Sequence, residues 1–351
     1  NQYEHGTKCL ALTVGYMPGV FMGAAYGADY IFAKTEDVSY EDPVEEWYWV
    51  AAVEWADSIG VDIIASSLGY NVFDDFSYSY EDMNGDNTVI TDIADKAARE
   101  YGILVLTSAG NDRDNEWGYI GAPADGDSVF AVGAQTADGL YSSFSSYGPQ
   151  YGDPTRFKPD ITALGSDVVM PLPSDTTGER LIRASGTSYS TPLVTGMAAL
   201  VMQALWESGS SEVGWNVAEI IRESADQHYF PDNDYGYGRP VAPVAAGLCN
   251  ALYISLVDSQ NIDGDIQKSA VVADSIIINA LTSSMIYKSA TDSRGILSYY
   301  PLIEGDYEVI VYNSNFVPKV KTFTYSGDDN VSLRINMSES DEILPLDDDL
   351  L

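Results

Sequence analysis

Up to about residue 238 the sequence alternates two kinds of segment, and this alternation limits the fold more than any other feature. Runs with helical spacing of apolar residues cover 7–16, 44–58, 91–101 and 190–206. Short β-branched runs lie among them at 30–33, 61–66, 103–108 and 129–132. Strands that alternate with helices imply a parallel sheet with helices on both faces, in three layers. The run Val61-Asp-Ile-Ile-Ala65 is apolar almost throughout, as a strand buried on both sides should be. The stretch from Gln227 to Arg239 is rich in Pro, Gly, Asn and Asp and reads as a loop closing this first part.

Beyond about Cys249 the helical spacing ends. Strand candidates recur at 270–273, 275–280, 305–312, 319–325 and 331–337. Turn signals such as Glu304-Gly305-Asp306 and Gly327-Asp328-Asp329 separate some of them. The pattern predicts a small antiparallel β-sandwich. The expected division is therefore a large α/β domain over 1–248, a small β domain over 249–338 and an acidic, poorly ordered tail over 339–351.

The composition excludes some partners. There are 53 acidic and 17 basic side chains, a net charge of −36. Such a field repels nucleic acid and anionic membranes. The most apolar stretch, 192–205, is too short to span a bilayer and is interrupted by Thr195, Gly196 and Gln203. Cys9 and Cys249 suggest neither a disulfide framework nor a metal pair, and both are expected to be buried thiols. No cofactor is required by any motif. The acidity would allow bound calcium, but no loop has a defined ligand spacing, so no metal residue is assigned.

Three segments carry chemistry. In Ala184-Ser-Gly-Thr-Ser188-Tyr-Ser-Thr-Pro192, small residues precede Ser188 and a helical pattern follows. Pro192 is expected in the first helical turn, where its missing N–H costs little. Ser188 then sits near a helix N-terminus, and its N–H faces a field suited to an oxyanion. Serine needs a base to become nucleophilic, and the chain has two histidines, His5 and His228. His5, expected where a strand-to-helix connection ends, can meet Ser188 if both helices start at the same sheet edge. His228 lies in the Pro- and Gly-rich loop and reads as a packing or surface residue. Asn111, in Ser108-Ala-Gly-Asn111 just past a predicted strand, offers an amide to developing negative charge. The reading requires the hydroxyl of Ser188 within reach of the imidazole of His5.

In this order the segments resemble the subtilisin-like serine peptidases, or subtilases. His5-Gly-Thr7 is similar to their histidine motif, Ser108-Ala-Gly-Asn111 to their oxyanion asparagine segment and Gly186-Thr-Ser188-Tyr-Ser-Thr-Pro192 to their nucleophile motif. Ser66-Ser-Leu-Gly69, Gly121-Ala-Pro123, Phe144-Ser-Ser-Tyr-Gly-Pro149 and Lys158-Pro-Asp160 resemble further landmarks. The resemblance implies a serine endopeptidase working through an acyl-enzyme, with Ser188 as nucleophile, His5 as general base and Asn111 as oxyanion donor. It implies that Ser67, Leu68, Gly69, Ser108, Ala109 and Gly110 line the substrate groove, favouring an apolar or aromatic P1 residue. It also implies a triad aspartate on a strand before the histidine. Only Asn1, Gln2, Tyr3 and Glu4 precede His5, so that aspartate is expected upstream of residue 1.

The family further implies a secreted or cell-surface protein and a protein or peptide substrate; the chain itself is expected to be a monomer, completed by a segment upstream of residue 1. Residues 260–338 resemble a carboxypeptidase-regulatory-like sandwich, through Thr291-Asp-Ser-Arg-Gly295 and Leu302-Ile-Glu-Gly305-Asp-Tyr307. Two other readings compete. One is a catalytically silent binding protein on the same scaffold. The other is an α/β-hydrolase using His228, which the absence of a G-x-S-x-G motif around Ser188 opposes.

Overall fold

The computed structural model describes residues 4–338 except 38, 176, 179, 212–213, 263–264, 282–284 and 328, and leaves the side chains of 258–262 and 265–269 undescribed. The chain divides into two compact units, residues 1–247 and 248–351. The acidic tail expected over 339–351 lies outside the described residues.

In chain order the first unit holds α1 (Glu4–Val14), the short strands β1 (Tyr16–Met17) and β2 (Phe21–Met22), α2 (Val44–Ile59), β3 (Ile63–Ser66), α3 (Val89–Arg99), β4 (Leu104–Ser108), β5 (Phe130–Gln135), β6 (Ile161–Leu164), β7 (Val168–Pro171), β8 (Leu181–Ala184), α4 (Thr187–Glu207), α5 (Trp215–Glu223) and α6 (Ala242–Ala245). The parallel sheet has the order β3-β4-β5-β6. Its register pairs Ser66 with Thr107, Leu106 with Phe130 and Val132 with Ile161.

Alternation along the strands divides the core between the two faces. Leu104, Leu106, Phe130 and Val132 pack with Val194, Val201 and Ile221 of α4 and α5. Ile103, Val105 and Val129 pack with Trp49, Val53, Ile90 and Ala94 of α2 and α3. Helix ends follow local chemistry. Thr88 caps α3 by accepting from the Thr91 N–H, and Gly60 ends α2 in the left-handed region at φ 83°.

At the strand starts of β5 and β6 a buried lysine organises the loops. Lys158 is fully buried, and its ammonium donates to Gly126 O, Val129 O and Asp160 Oδ2 at 2.9, 2.8 and 2.9 Å. Asp160 also accepts from Ala131 N and pairs with Arg222 at 2.5 Å.

Three expectations change. The run 30–33 is irregular rather than a strand, and Tyr30 and Phe32 are 60% and 55% exposed. β-Branched and aromatic residues make a strand only when a neighbour pairs with it, and among the described residues none does here. His5 lies inside the first turn of α1, not ahead of the helix. Pro192 is the sixth residue of α4, not part of its first turn, so its missing N–H is felt.

The second unit is built of strands: β9 (Asn250–Ile262), β10 (Asp265–Ala270), β11 (Ser275–Ala280), β12 (Met285–Ser289), β13 (Ile296–Leu302), β14 (Gly305–Asn313), β15 (Phe316–Tyr325) and β16 (Val331–Asn336). β10, β13 and β16 all pair with β9, β16 in parallel, and a second sheet has the antiparallel order β12-β11-β14-β15. One buried cluster takes Leu252, Ile254 and Leu256 from the first sheet and Ile276, Ile278, Val309 and Val311 from the second. Of the expected run 270–273, only Ala270 is in a strand.

Candidate active site

Ser188 is the second residue of α4. Its N–H therefore has no acceptor within the helix. Its carbonyl would normally accept from the N–H four residues on, which is Pro192 and has none. A half-buried carbonyl needs a donor, and this one finds two. Ser67 Oγ donates to Ser188 O at 2.9 Å, and Cys9 Sγ donates to the same oxygen at 3.3 Å.

Those two bonds draw the other elements in. His5, Cys9 and Thr13 lie at i, i+4 and i+8 on α1 and so share one face of it. Cys9 reaches Ser188 O, and Thr13 Oγ1 donates to Pro192 O at 3.1 Å. The helix bearing His5 is thereby fixed to the helix bearing Ser188. Cys9 Sγ also lies 3.9 Å from His5 Nε2, and the His5 ring sits 6.0 Å from that of Tyr189.

Asn111 follows β4 on a turn through Gly110, whose φ is +111°. A β-carbon there would come within 2.7 Å of Ser146 Oγ, so only glycine fits. Asn111 Oδ1 accepts from the Thr187 N–H at 2.9 Å and from Thr187 Oγ1 at 3.1 Å. The carbonyl end of the amide is thus engaged at the start of α4, and the Nδ2 end remains available.

The structure brings His5, Asn111 and Ser188 to one neighbourhood. It does not join the first and last directly. Ser188 Oγ donates to Ser67 O at 3.3 Å, and among the described residues it makes no hydrogen bond to His5. Catalytic hydrogen bonds commonly tighten only with substrate bound.

Of the expected groove residues, Ser67, Leu68 and Gly69 follow β3, with Gly69 exposed. The Leu68 carbonyl accepts from Ser108 Oγ at 3.2 Å. Ser108 and Ala109 are buried, 5% and 1% exposed, and so lie behind this strand extension rather than in the open. Tyr70 continues it by exchanging backbone bonds with Ala122 at 2.8 and 3.1 Å.

The electrostatics suit a neutral base. Surrounding protein disfavours a charged His5 although the residue is exposed, and Lys8 adds like charge, so its pKa lies below the ordinary 6.5. Burial pushes the Cys9 thiol up to about 11, so it stays protonated and able to donate. Both cysteines are half-buried rather than fully buried as expected. His228 packs edge-on against Tyr229 and tilted against Tyr237, and burial lowers its pKa too.

Sequence reasoning missed Cys9 and Thr13, although their four-residue spacing from His5 was the available signal. It also missed Glu36, Glu41 and Glu45, whose carboxylate oxygens lie within 4.8 Å of one another. Tyr70 OH donates to Glu36 at 2.6 Å, and the Asp37 N–H donates to Glu45 at 2.7 Å. Burial and the neighbouring carboxylates raise Glu41 to about 7. Such a trio could share protons or hold a cation.

A serine on the first turn of one helix, a histidine on the helix fixed to it and an amide bonded to the same helix start define a class: an α/β protein of the open parallel-sheet kind whose polar side chains gather at the carboxyl ends of the strands. The sequence profile of the Subtilase family matches residues 1–238, and the chain belongs to that family. Membership supports serine peptidase chemistry. Subtilisin DY of Bacillus licheniformis is 30% identical over 182 residues, 52% of this chain and 57% of its own length. The thermostable alkaline protease of Halalkalibacterium halodurans is 35% identical over 149 residues, 42% of this chain and 33% of its own. The chain spans about half the length of the first of these curated relatives. Among solved structures, the self-cleaved protease domain of PatA matches with a TM-score of 0.55 at 23% identity, over 70% of this chain and 82% of that one. MycP1 with its N-terminal propeptide removed matches at 0.53 and 20% identity, over 69% and 78%. At those identities the likeness speaks for the fold alone.

Proposed function

We propose that this chain carries the catalytic machinery of a serine endopeptidase acting through an acyl-enzyme. Ser188 Oγ attacks the peptide carbonyl carbon as His5 Nε2 takes its proton. The carbonyl π pair moves onto oxygen, and the Asn111 amide with the Ser188 N–H holds that oxyanion. Collapse expels the amine, which takes the proton from His5. Water then repeats the sequence on the ester. The reading expects an aspartate from a segment preceding residue 1 to fix the His5 tautomer. It assigns the backbone of Ser67, Leu68 and Gly69 to pairing with substrate and half-buried Gly110 to the wall of an S1 pocket for apolar or aromatic side chains, with buried Ser108 and Ala109 backing that wall. A secreted or cell-surface monomer acting on proteins or peptides, with no required cofactor and optional calcium, completes it. The second unit, with its two sheets around one core, is read as a carboxypeptidase-regulatory-like accessory sandwich.

One observation carries the reading. A single sulfur, Cys9 Sγ, lies 3.9 Å from His5 Nε2 and 3.3 Å from Ser188 O, while Asn111 is bonded to the adjacent Thr187. A fluorophosphonate probe on the full-length protein tests it. Wild type should be labelled, Ser188→Ala and His5→Ala should lose labelling, and His228→Ala should keep it. Loss with His228→Ala alone would turn the assignment towards the hydrolase alternative. The silent binding scaffold gains support from the Ser188 hydroxyl engaging Ser67 O instead of the imidazole. An unlabelled wild type that still binds peptide would favour it.

A further inference from the structure

Asn111 is exposed, and its side chain is aimed by its two bonds from Thr187 together with the backbone that carries it. That backbone, 109–113, is fastened to a second segment. Ser146 N donates to Gly110 O, Asp112 N donates to Ser146 Oγ and Arg113 N donates to Phe144 O, at 3.0, 3.0 and 3.2 Å. Arg113 then adds two nitrogens of its guanidinium. Nε donates to Ser145 O at 2.7 Å, and Nη1 pairs with Asp234 at 2.8 Å. The group sits between two rings, 4.2 Å from the centroid of Tyr141 and 4.5 Å from that of Tyr147. Its side chain is 14% exposed.

The arrangement is more than a surface ion pair. A planar, five-donor fork fills the slot between two rings while bonding backbone on one side and carboxylate on the other. Three segments, 109–113, 141–147 and 232–236, meet on this one side chain. Asp234 is itself held in a turn whose Asp232 accepts from Asp234 N at 2.9 Å and Tyr235 N at 2.8 Å. Tyr235 OH in turn accepts from Tyr141 N at 3.1 Å. The clamp thus ties three segments together two residues from the proposed oxyanion donor, although Arg113 Nη2 is buried without a hydrogen-bond partner among the described residues.

We infer that Arg113 is a positioning residue for the oxyanion amide: it holds the 109–113 turn so that Asn111 Nδ2 stays aimed at the developing oxyanion. The inference rests on the peptidase reading. Removing an oxyanion donor costs about 10²–10³ in kcat, a magnitude from a subtilisin relative, and loosening its support should cost part of that. Acting through Asn111, Arg113 must lose its effect once the amide is gone.

The test is a double-mutant cycle on the full-length protein, read as kcat and KM for a peptide amide. Arg113→Met should lower kcat about tenfold or more with KM within about twofold, and by no more than about twofold in an Asn111→Ala background. Equal losses in the two backgrounds would mean a general structural role and overturn the inference. Arg113→Lys keeps the charge without the fork and should behave like Met, so full rescue by lysine also overturns it. If Arg113→Met fails to fold, Tyr141→Leu removes one stacking ring that is already 39% exposed and should lower kcat in the same selective way. Exchange of the Asp112 and Arg113 amides supplies a readout that needs no turnover. It should quicken in Arg113→Met while exchange in β5 does not. Unchanged exchange sinks the positioning role even if the wild type cleaves nothing, whereas an inactive wild type with quickened exchange sinks only the peptidase reading.

Discussion

Removing both donors to the Ser188 carbonyl should destabilise the protein by more than the two single losses together. The carbonyl faces Pro192, which cannot donate, and is served by Ser67 Oγ and Cys9 Sγ. Ser67→Ala or Cys9→Ala each removes one hydrogen bond, worth about 0.5–1.5 kcal/mol, with the thiol at the low end. Either change leaves the oxygen one partner. The double variant leaves it none, adding a desolvation penalty of about 1–3 kcal/mol. The coupling should therefore be about 1–2 kcal/mol, well above the few tenths seen between independent sites. Urea midpoints at unchanged m-value would measure it. Pro192→Ala offers a built-in control, because it restores the N–H that the helix normally supplies. In the double-variant background it should recover most of the coupling. Additive losses, or no recovery with Pro192→Ala, would refute the claim that the proline creates the demand these two side chains meet.

Three further outcomes are expected. Asn111→Ala should lower kcat about 10²–10³ with little change in KM, measured on a peptide amide. Asp160→Asn should cost about 3–5 kcal/mol in chemical denaturation, because it strands the buried Lys158 ammonium and one face of Arg222. The Glu41 pKa is raised in the fold from 4.5 to about 7, so the folded state binds more protons than the unfolded one across that range. Stability from this group is present at low pH and is lost as pH rises from 4.5 towards 7. Melting temperatures of Glu41→Gln across that window should fall less steeply than those of wild type, and parallel curves would contradict the assignment.

Much of the first unit was legible because apolar runs such as 103–108 must be buried on both faces, and only a covered parallel sheet provides that. The helix start at Ser188 was legible for a similar reason: small residues before it and a helical pattern after it leave few ways to fold. Residues 30–33 misled because strand propensity says nothing about whether a pairing partner exists. The 13-residue strand β9 lies wholly within the expected second domain but was not among the strands expected there. Pro192 was misplaced by counting from Ser190 rather than from Thr187. That small shift hid the reason for Cys9, since the proline's effect on Ser188 O appears only once the helix start is known. The Arg113 clamp was illegible for a different reason: its partners come from 141–147 and 234, and no local pattern announces a meeting of three loops.

The ammonium of Lys158 has a consequence for how this scaffold endures. Two backbone oxygens and a carboxylate converge on it, an arrangement that would also suit a small free cation. A free ion there could be competed away by a chelator or lost on dilution. A charge tethered through four methylenes cannot leave, because its local concentration is fixed by covalent bonds rather than by the medium. The loops that begin β5 and β6 are thus held by counter-charge the chain carries with it, at the end of the sheet opposite to Ser188.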